Sequence, residues 1–315
     1  MEIGLLTDSL GHLDRKDALD AAAAIGATRL EFAAGDWSTS PHLDLEELLA
    51  SAPARAALEH ELDGHGLALS ALNASGNPLH PREGERNDAL VRGTIRLAGA
   101  LGVDTVVLMS GLPAGAPGDA TPNWITTSWP PETTEILERQ WTDVALPYWE
   151  DLARFATEQG VTKLAVEMHA NQLVFSVPSL QRLRDAVGPI VGANLDPSHL
   201  FWMGADPLAA IQELSGAIHH VHAKDTRIEE SVAVRSRVET LTVLPVAERS
   251  WNYVTVGRGH DVEYWARFMA ALRAAGYDGT LSIEHEDHAV DPRLGVEEAA
   301  ATLREAAHRA SIPLR

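Results

Sequence analysis

The sequence contains no cysteine. That excludes disulfides and removes thiolate from any set of metal ligands. Basic residues are scarce: 25 Lys and Arg stand against 45 Asp and Glu, a formal net charge of −20. So acidic a surface repels nucleic-acid phosphates and anionic membranes, so neither is expected as a partner, and the charge reads as a solubility feature. No apolar run approaches the length of a membrane span. The opening residues, Met1-Glu2-Ile3-Gly4-Leu5-Leu6-Thr7-Asp8, lack the basic stretch and long apolar core of a secretory signal. A soluble cytoplasmic protein is expected. No repeat, linker or low-complexity segment divides the chain, so one domain spanning 1–315 is expected.

What is present is an alternation. Eight short apolar runs, Ile3–Thr7, Arg29–Ala33, Ala68–Asn73, Thr105–Met109, Lys163–Met168, Val191–Leu195, Ile218–His222 and Thr280–Glu284, alternate with amphipathic stretches. Runs such as Thr105-Val106-Val107-Leu108-Met109 are apolar throughout, as in strands buried on both faces of a parallel sheet. Gly26, Gly66, Gly102, Gly160, Gly188 and Gly276 each stand where a helix would stop before the next strand. Eight strand–helix units predict a closed (β/α)8 barrel. An open doubly wound sheet fits less well, because no Gly-rich phosphate fingerprint follows the first strand. Two long connections, 111–136 and 226–260, leave the C-terminal ends of the fourth and seventh strands, the end where barrels carry their chemistry.

The last four strands end in ionisable groups: Glu167 and His169; Asp196 and His199; His220, His222, Lys224 and Asp225; Glu284, Glu286 and Asp287. Glu167, Asp196, His222 and Glu284 are separated by 29, 26 and 62 residues, the last interval lengthened by the 226–260 insertion. Carboxylates gathered at one barrel mouth repel one another, and a dication among them removes that cost. Three carboxylates and one imidazole favour a hard or borderline ion. Mn²⁺ ranks first, with Mg²⁺, Co²⁺ and Zn²⁺ as alternatives.

Ser75-Gly76-Asn77-Pro78-Leu79-His80-Pro81, Glu167-Met168-His169, Asn194-Leu195-Asp196-Pro197-Ser198-His199, His220-Val221-His222-Ala223-Lys224-Asp225 and Ser282-Ile283-Glu284-His285-Glu286-Asp287 resemble xylose isomerase-like barrels of the sugar phosphate isomerase/epimerase group over essentially the whole chain. That resemblance implies that Glu167, Asp196, His222 and Glu284 ligate the metal. It also implies that Glu167 and Glu284 act as bases on opposite faces of a keto sugar, giving an isomerase or epimerase. His169 is a third candidate base, since it lies two residues beyond Glu167 and an imidazole is suited to proton transfer near neutrality. Candidate substrate contacts are His199, Asn77, His80, Glu31, Asp225, Arg227 and Trp37.

The alternative reading is a lyase. The chain is similar to the α subunits of bacterial C-glycoside deglycosylases, which cleave 3-oxo-glycosides by enolisation and elimination and work with a small β subunit; His169 would then be the base. A homo-oligomer is expected, with that small subunit as a further candidate partner. An abasic-site endonuclease would need a basic DNA face, which a charge of −20 opposes. A non-catalytic sugar-binding barrel would show no dependence on metal or on Glu284.

Overall fold

A computed structural model describes residues 1–238 and 244–315. Among the described residues ten strands are formed: β1 (Glu2–Leu6), β2 (Arg29–Ala33), β3 (Ala68–Ala74), β4 (Thr105–Met109), β5 (Lys163–Glu167), β6 (Val191–Leu195), β7 (Ile218–Ala223), β8 (Asp225–Ile228), β9 (Trp251–Val254) and β10 (Thr280–Ile283). Eight of them close a barrel in the order β1-β10-β7-β6-β5-β4-β3-β2, with parallel pairing at each described step. All eight predicted strands are present, with ends displaced by about one residue, the usual uncertainty of such boundaries. At the last one the ladder outlives the strand: Glu284 N–H still donates to Ala223 O at 3.2 Å.

The helices are α1 (Arg15–Ala24), α2 (Leu45–Ala50), α3 (Ala52–Gly64), α4 (Gly84–Ala100), α5 (Glu132–Arg139), α6 (Leu146–Glu158), α7 (Val177–Val187), α8 (Pro197–Met203), α9 (Pro207–Glu213), α10 (Glu230–Ala233), α11 (Val262–Ala274) and α12 (Pro292–Arg309). No helix among the described residues is long and apolar enough to cross a membrane. The predicted helix stops at Gly102 and Gly160 adopt φ of +67° and +84°, a conformation that any Cβ would strain. The insertion expected as a loop over 226–260 instead carries β8 and β9, which pair antiparallel with Ile228 opposite Trp251. Its residues 239–243 lie outside those described. The strands escaped sequence reading because each is four residues long and lacks the apolar run of a barrel strand.

The residues pack into two compact units, Met1–Glu31 with His60–Ser70 and Leu195–Arg315, and Phe32–Glu59 with Ala71–Asn194. Each interleaves distant segments, so the division does not follow the chain. In the first unit α11 packs against α12, burying Trp265, Phe268, Met269 and Leu303. Each such side chain contributes roughly 1.5–3 kcal/mol. In the second, Ala71, Val107 and Ala165 form a buried cluster from three adjacent strands. Residues two apart share a strand face, so Glu167 lies on the same face as Ala165. Helix α4 closes tightly here: a Cβ placed on Gly99 would lie 2.0 Å from Gln159 O, a backbone atom that cannot swing away. Gly99→Ala is expected to destabilise the fold by about 3 kcal/mol, read as a lower urea midpoint with an unchanged slope.

Candidate metal centre

The first unit assembles a buried cluster from β2, β6, β7 and β10. His220 and His222 lie two apart on β7 and therefore face the same side. Both turn to Glu31, which is fully buried in the middle of β2. His220 Nε2 lies 2.8 Å from Glu31 Oε2, and His222 Nε2 lies 3.0 and 3.1 Å from the two carboxylate oxygens. Ser282 Oγ donates to Oε2 at 2.9 Å. Burial alone would raise the Glu31 pKa, but attraction to the two imidazoles and their hydrogen bonds outweighs it and holds the carboxyl well below its usual range. Glu31, expected to read a substrate hydroxyl, has its acceptor positions taken by these three side chains and works as a clamp on His222.

The clamp orients the other nitrogen. His222 Nδ1 faces Glu284 Oε2 at 2.7 Å. One ligand atom from each of Asp196, His222 and Glu284 lies within 4.8 Å of the others. Asp196 follows β6 and caps α8: its Oδ1 accepts from Ser198 N–H at 2.8 Å, which fixes the rotamer. Its Oδ2 is buried and accepts no hydrogen bond among the described residues. His199 Nε2 faces that oxygen at 3.2 Å without hydrogen-bond alignment.

Lys224, legible in the sequence only as a loop charge, is buried. Its Nζ lies 2.8 Å from Glu284 and 2.6 Å from Glu286. Burial pulls its pKa down, yet attraction to Glu284, Glu286 and Asp196 prevails and keeps it protonated well above the ordinary lysine range. Three carboxylates, Asp196, Glu284 and Glu286, thus surround one ammonium. The two negative charges in excess match a divalent cation, and carboxylate oxygens with an imidazole nitrogen suit a hard or borderline one. The residues present therefore fit such an ion.

In the second unit, Glu167 ends β5 opposite Asn194 of β6, whose Nδ2 donates to Glu167 Oε2 at 2.8 Å. His169 Nδ1 lies 2.6 Å from Ala170 O, and Trp37, more than half exposed, sets its ring 5.8 Å from the His169 ring. Asn77 and His80 have structural tasks. Asn77 joins the loop after β3 to that after β4, donating to Leu112 O at 3.1 Å and accepting from Leu79 N–H and Leu112 N–H. His80 Nδ1 accepts from Arg82 N–H and Glu83 N–H at the start of α4. Both are expected from the sequence as substrate contacts, and these hydrogen bonds are made within and between the loops after β3 and β4.

Asp225 also has its oxygens engaged inside the protein. It is fully buried and accepts from Gly257 N–H, Gly259 N–H and His260 N–H at 3.0–3.1 Å, with His260 Nδ1 at 2.8 Å. It ties the start of β8 to the chain beyond β9. Arg227 points to the surface and pairs with Glu229 at 2.7 Å. Among the aromatics of the 111–136 insertion and the segment after it, Trp141 and Trp149 are buried, and Trp149 Nε1 donates to Ser110 O at 3.0 Å, whereas Trp129 is exposed.

The clamp on His222 yields an expected result. Glu31→Gln keeps the side-chain volume but offers one acceptor oxygen to three donors. Metal affinity is expected to fall about 10–100-fold, as when other partners behind a ligating histidine are removed. Isothermal titration of the metal-free variant with Mn²⁺ checks it.

A family model described as xylose isomerase-like TIM barrel matches residues 19–306. The uncharacterized protein YfiH of Bacillus subtilis (strain 168) is 48% identical over 309 residues, covering 97% of this chain and 99% of that one. An inosose dehydratase of Geobacillus thermodenitrificans (strain NG80-2) is 29% identical over 152 residues, about half of each chain (48% and 49%). Among solved structures, a D-tagatose 3-epimerase-like protein superposes with a TM-score of 0.68 at 17% identity, covering 99% and 98% of the two chains. With the closed eight-stranded barrel and a family match that spans most of its length, the chain belongs to the xylose isomerase-like TIM barrel family.

Proposed function

We propose that the protein is a divalent-metal-dependent isomerase or epimerase of keto sugars, with Glu167 joining Asp196, His222 and Glu284 as ligands and Mn²⁺ as the preferred ion. The observation that carries this reading is the orientation of His222: one nitrogen is clamped by Glu31 and the other turned toward Glu284, with Asp196 Oδ2 nearby and accepting no hydrogen bond. Glu167 is the ligand that the family resemblance adds to this set, and within its own unit Asn194 donates to its Oε2 at 2.8 Å.

A divalent ion in this setting supplies Lewis-acid stabilisation of the charge that develops on a sugar carbonyl oxygen as an adjacent proton leaves. The protein's own groups do the rest. Glu167 takes the proton on Oε1, the oxygen other than the one bonded to Asn194. Glu284, held by a hydrogen bond from Lys224 at 2.8 Å, carries a proton in the reacting complex and delivers it to the opposite face, so that Glu167 ends protonated and Glu284 ionised. Relatives support a sugar-modifying enzyme, and the dehydratase among them shows that a neighbouring sequence carries out elimination.

A second reading rests on His169. With Nδ1–H donated to Ala170 O at 2.6 Å, the lone pair stays on Nε2, the tautomer a base requires. That favours elimination from the same enolised sugar, a lyase reaction.

The two readings share one early event, exchange of the proton beside the carbonyl. Metal-free protein reloaded with Mn²⁺ and incubated with ketoses in D₂O is expected to incorporate deuterium at that carbon, followed by mass spectrometry. Epimer formation supports the first reading, and loss of water or an aglycone supports the second. Absence of metal-dependent exchange across a panel of keto sugars and inososes would sink both.

A further inference from the structure

We propose that Tyr253, delivered by the β8–β9 hairpin, is a positioning residue that fixes which nitrogen of His199 faces Asp196. The functional consequence rests on the metal centre proposed above; the geometry does not.

Tyr253 Oη lies 3.0 Å from His199 Nδ1, and the two rings meet edge to face with centroids 5.7 Å apart. The other nitrogen, Nε2, faces Asp196 Oδ2 at 3.2 Å. Both residues of that pair are buried. A carboxylate oxygen can only accept, so an imidazole lone pair on the nitrogen 3.2 Å from it is repelled, whereas an N–H there is attracted. The favourable neutral form therefore carries hydrogen on Nε2 and a lone pair on Nδ1. The phenol is left as donor. Burial raises the Tyr253 pKa far above its ordinary value, so the hydroxyl hydrogen is present. Tyr253 thus donates to Nδ1 and keeps the hydrogen of His199 on Nε2, the nitrogen 3.2 Å from the Asp196 oxygen that does not cap α8.

The hairpin is built to hold Tyr253 there. The ring lies over Lys224, with Nζ 4.5 Å from its centroid. The neighbouring Trp251 stacks on Trp202 of α8 at 4.7 Å with 8° between planes. The chain leaving β9 is tied down by Asp287, which accepts from Thr255 N–H at 2.9 Å and Oγ1 at 3.1 Å. A segment that sequence reading leaves as a loop therefore reaches the candidate centre through one hydroxyl. Its only sequence signal is an aromatic-polar alternation, Trp251-Asn252-Tyr253, which many surface strands share.

Tyr253→Phe removes the hydroxyl and keeps the ring over Lys224. On protein labelled with ¹⁵N-histidine, the wild type at neutral pH is expected to show His199 with hydrogen on Nε2. The variant is expected to lose that preference and to bind Mn²⁺ about tenfold more weakly, with its thermal midpoint little changed. A wild-type His199 carrying its hydrogen on Nδ1 overturns the proposal, as does a Tyr253→Phe protein with unaltered His199 signals and Mn²⁺ affinity. If the wild type binds no Mn²⁺, the metal reading fails, and the ¹⁵N signals of the metal-free protein still decide the role of Tyr253.

Discussion

Glu284→Gln is expected to abolish tight metal binding while leaving the fold intact. In the wild type, His222 Nδ1 and Glu284 Oε2 stand 2.7 Å apart, an approach of two potential acceptors that requires a shared proton or cation. Glutamine changes that relation. Its amide donates to Nδ1, which agrees with a His222 that donates through Nε2 to Glu31, and its carbonyl oxygen still accepts from Lys224. The metal-free variant is expected to be at least as stable as the metal-free wild type. Mn²⁺ affinity is expected to drop on the order of 100-fold or more, about 2.7 kcal/mol, and deuterium exchange into a keto sugar to fall with it. Calorimetric titration and thermal unfolding of both metal-free proteins check the pair of outcomes. A variant that binds Mn²⁺ as well as the wild type removes Glu284 from the centre, whereas one that unfolds shows that the carboxylate is chiefly structural.

Asp225→Ala is expected to produce the larger loss of stability. It deletes the acceptor for four backbone N–H groups, those of Thr226, Gly257, Gly259 and His260, and one imidazole, all gathered on a single buried carboxylate. A buried donor left without a partner costs about 1–3 kcal/mol. Because the loop can relax toward water, a total of about 4 kcal/mol is the expected scale, at the upper end for single substitutions. Loosening should be local first, so limited proteolysis is expected to cut within the chain between Asp225 and His260 before global unfolding begins. Asp225→Asn should recover only part of the loss, since its NH₂ meets N–H groups where the second oxygen stood. Gly259→Ala tests the same knot from the other side: a Cβ there would lie 2.5 Å from Thr226 O and 2.6 Å from Asp225 Oδ1. Unaltered proteolysis and urea midpoint in all three variants would contradict this account.

The barrel strands were legible because strands covered on both faces carry mostly apolar runs, unbroken in Thr105–Met109 and interrupted only by Asn194 in Val191–Leu195. The strand-end ionisable groups were legible for a related reason: a carboxylate directly after such a run must lie at a mouth. What lay behind those groups was harder. Glu31 and His222 meet across 191 residues, and nothing local marks Glu31 as the partner of an imidazole and not of a sugar hydroxyl. The i, i+2 spacing of His220 and His222 was the one available sign that both belong to the same cluster. Asn77 and His80 were polar residues beside a strand end, where turn-forming and ligand-reading side chains share a composition. Lys224 was ambiguous because a buried ammonium depends on Glu284 and Glu286, sixty and sixty-two positions on (224 to 284 and 224 to 286). Tyr253 was invisible because its partner, His199, lies on another element and the hairpin that carries it was not foreseen.

The knot at Asp225 has an evolutionary reading. A carboxylate that clasps both ends of an excursion makes the length of what lies between them nearly irrelevant to the barrel. Doubling the length of a flexible connection costs only about 0.6 kcal/mol in closure entropy. The excursion from Asp225 to Gly257 can therefore be lengthened, shortened or exchanged between relatives while the clasp holds, and each exchange changes which side chain is presented to His199. Substrate preference in such a lineage would diversify by swapping a cassette on a fixed buckle, leaving the strand-end carboxylates and His222 untouched.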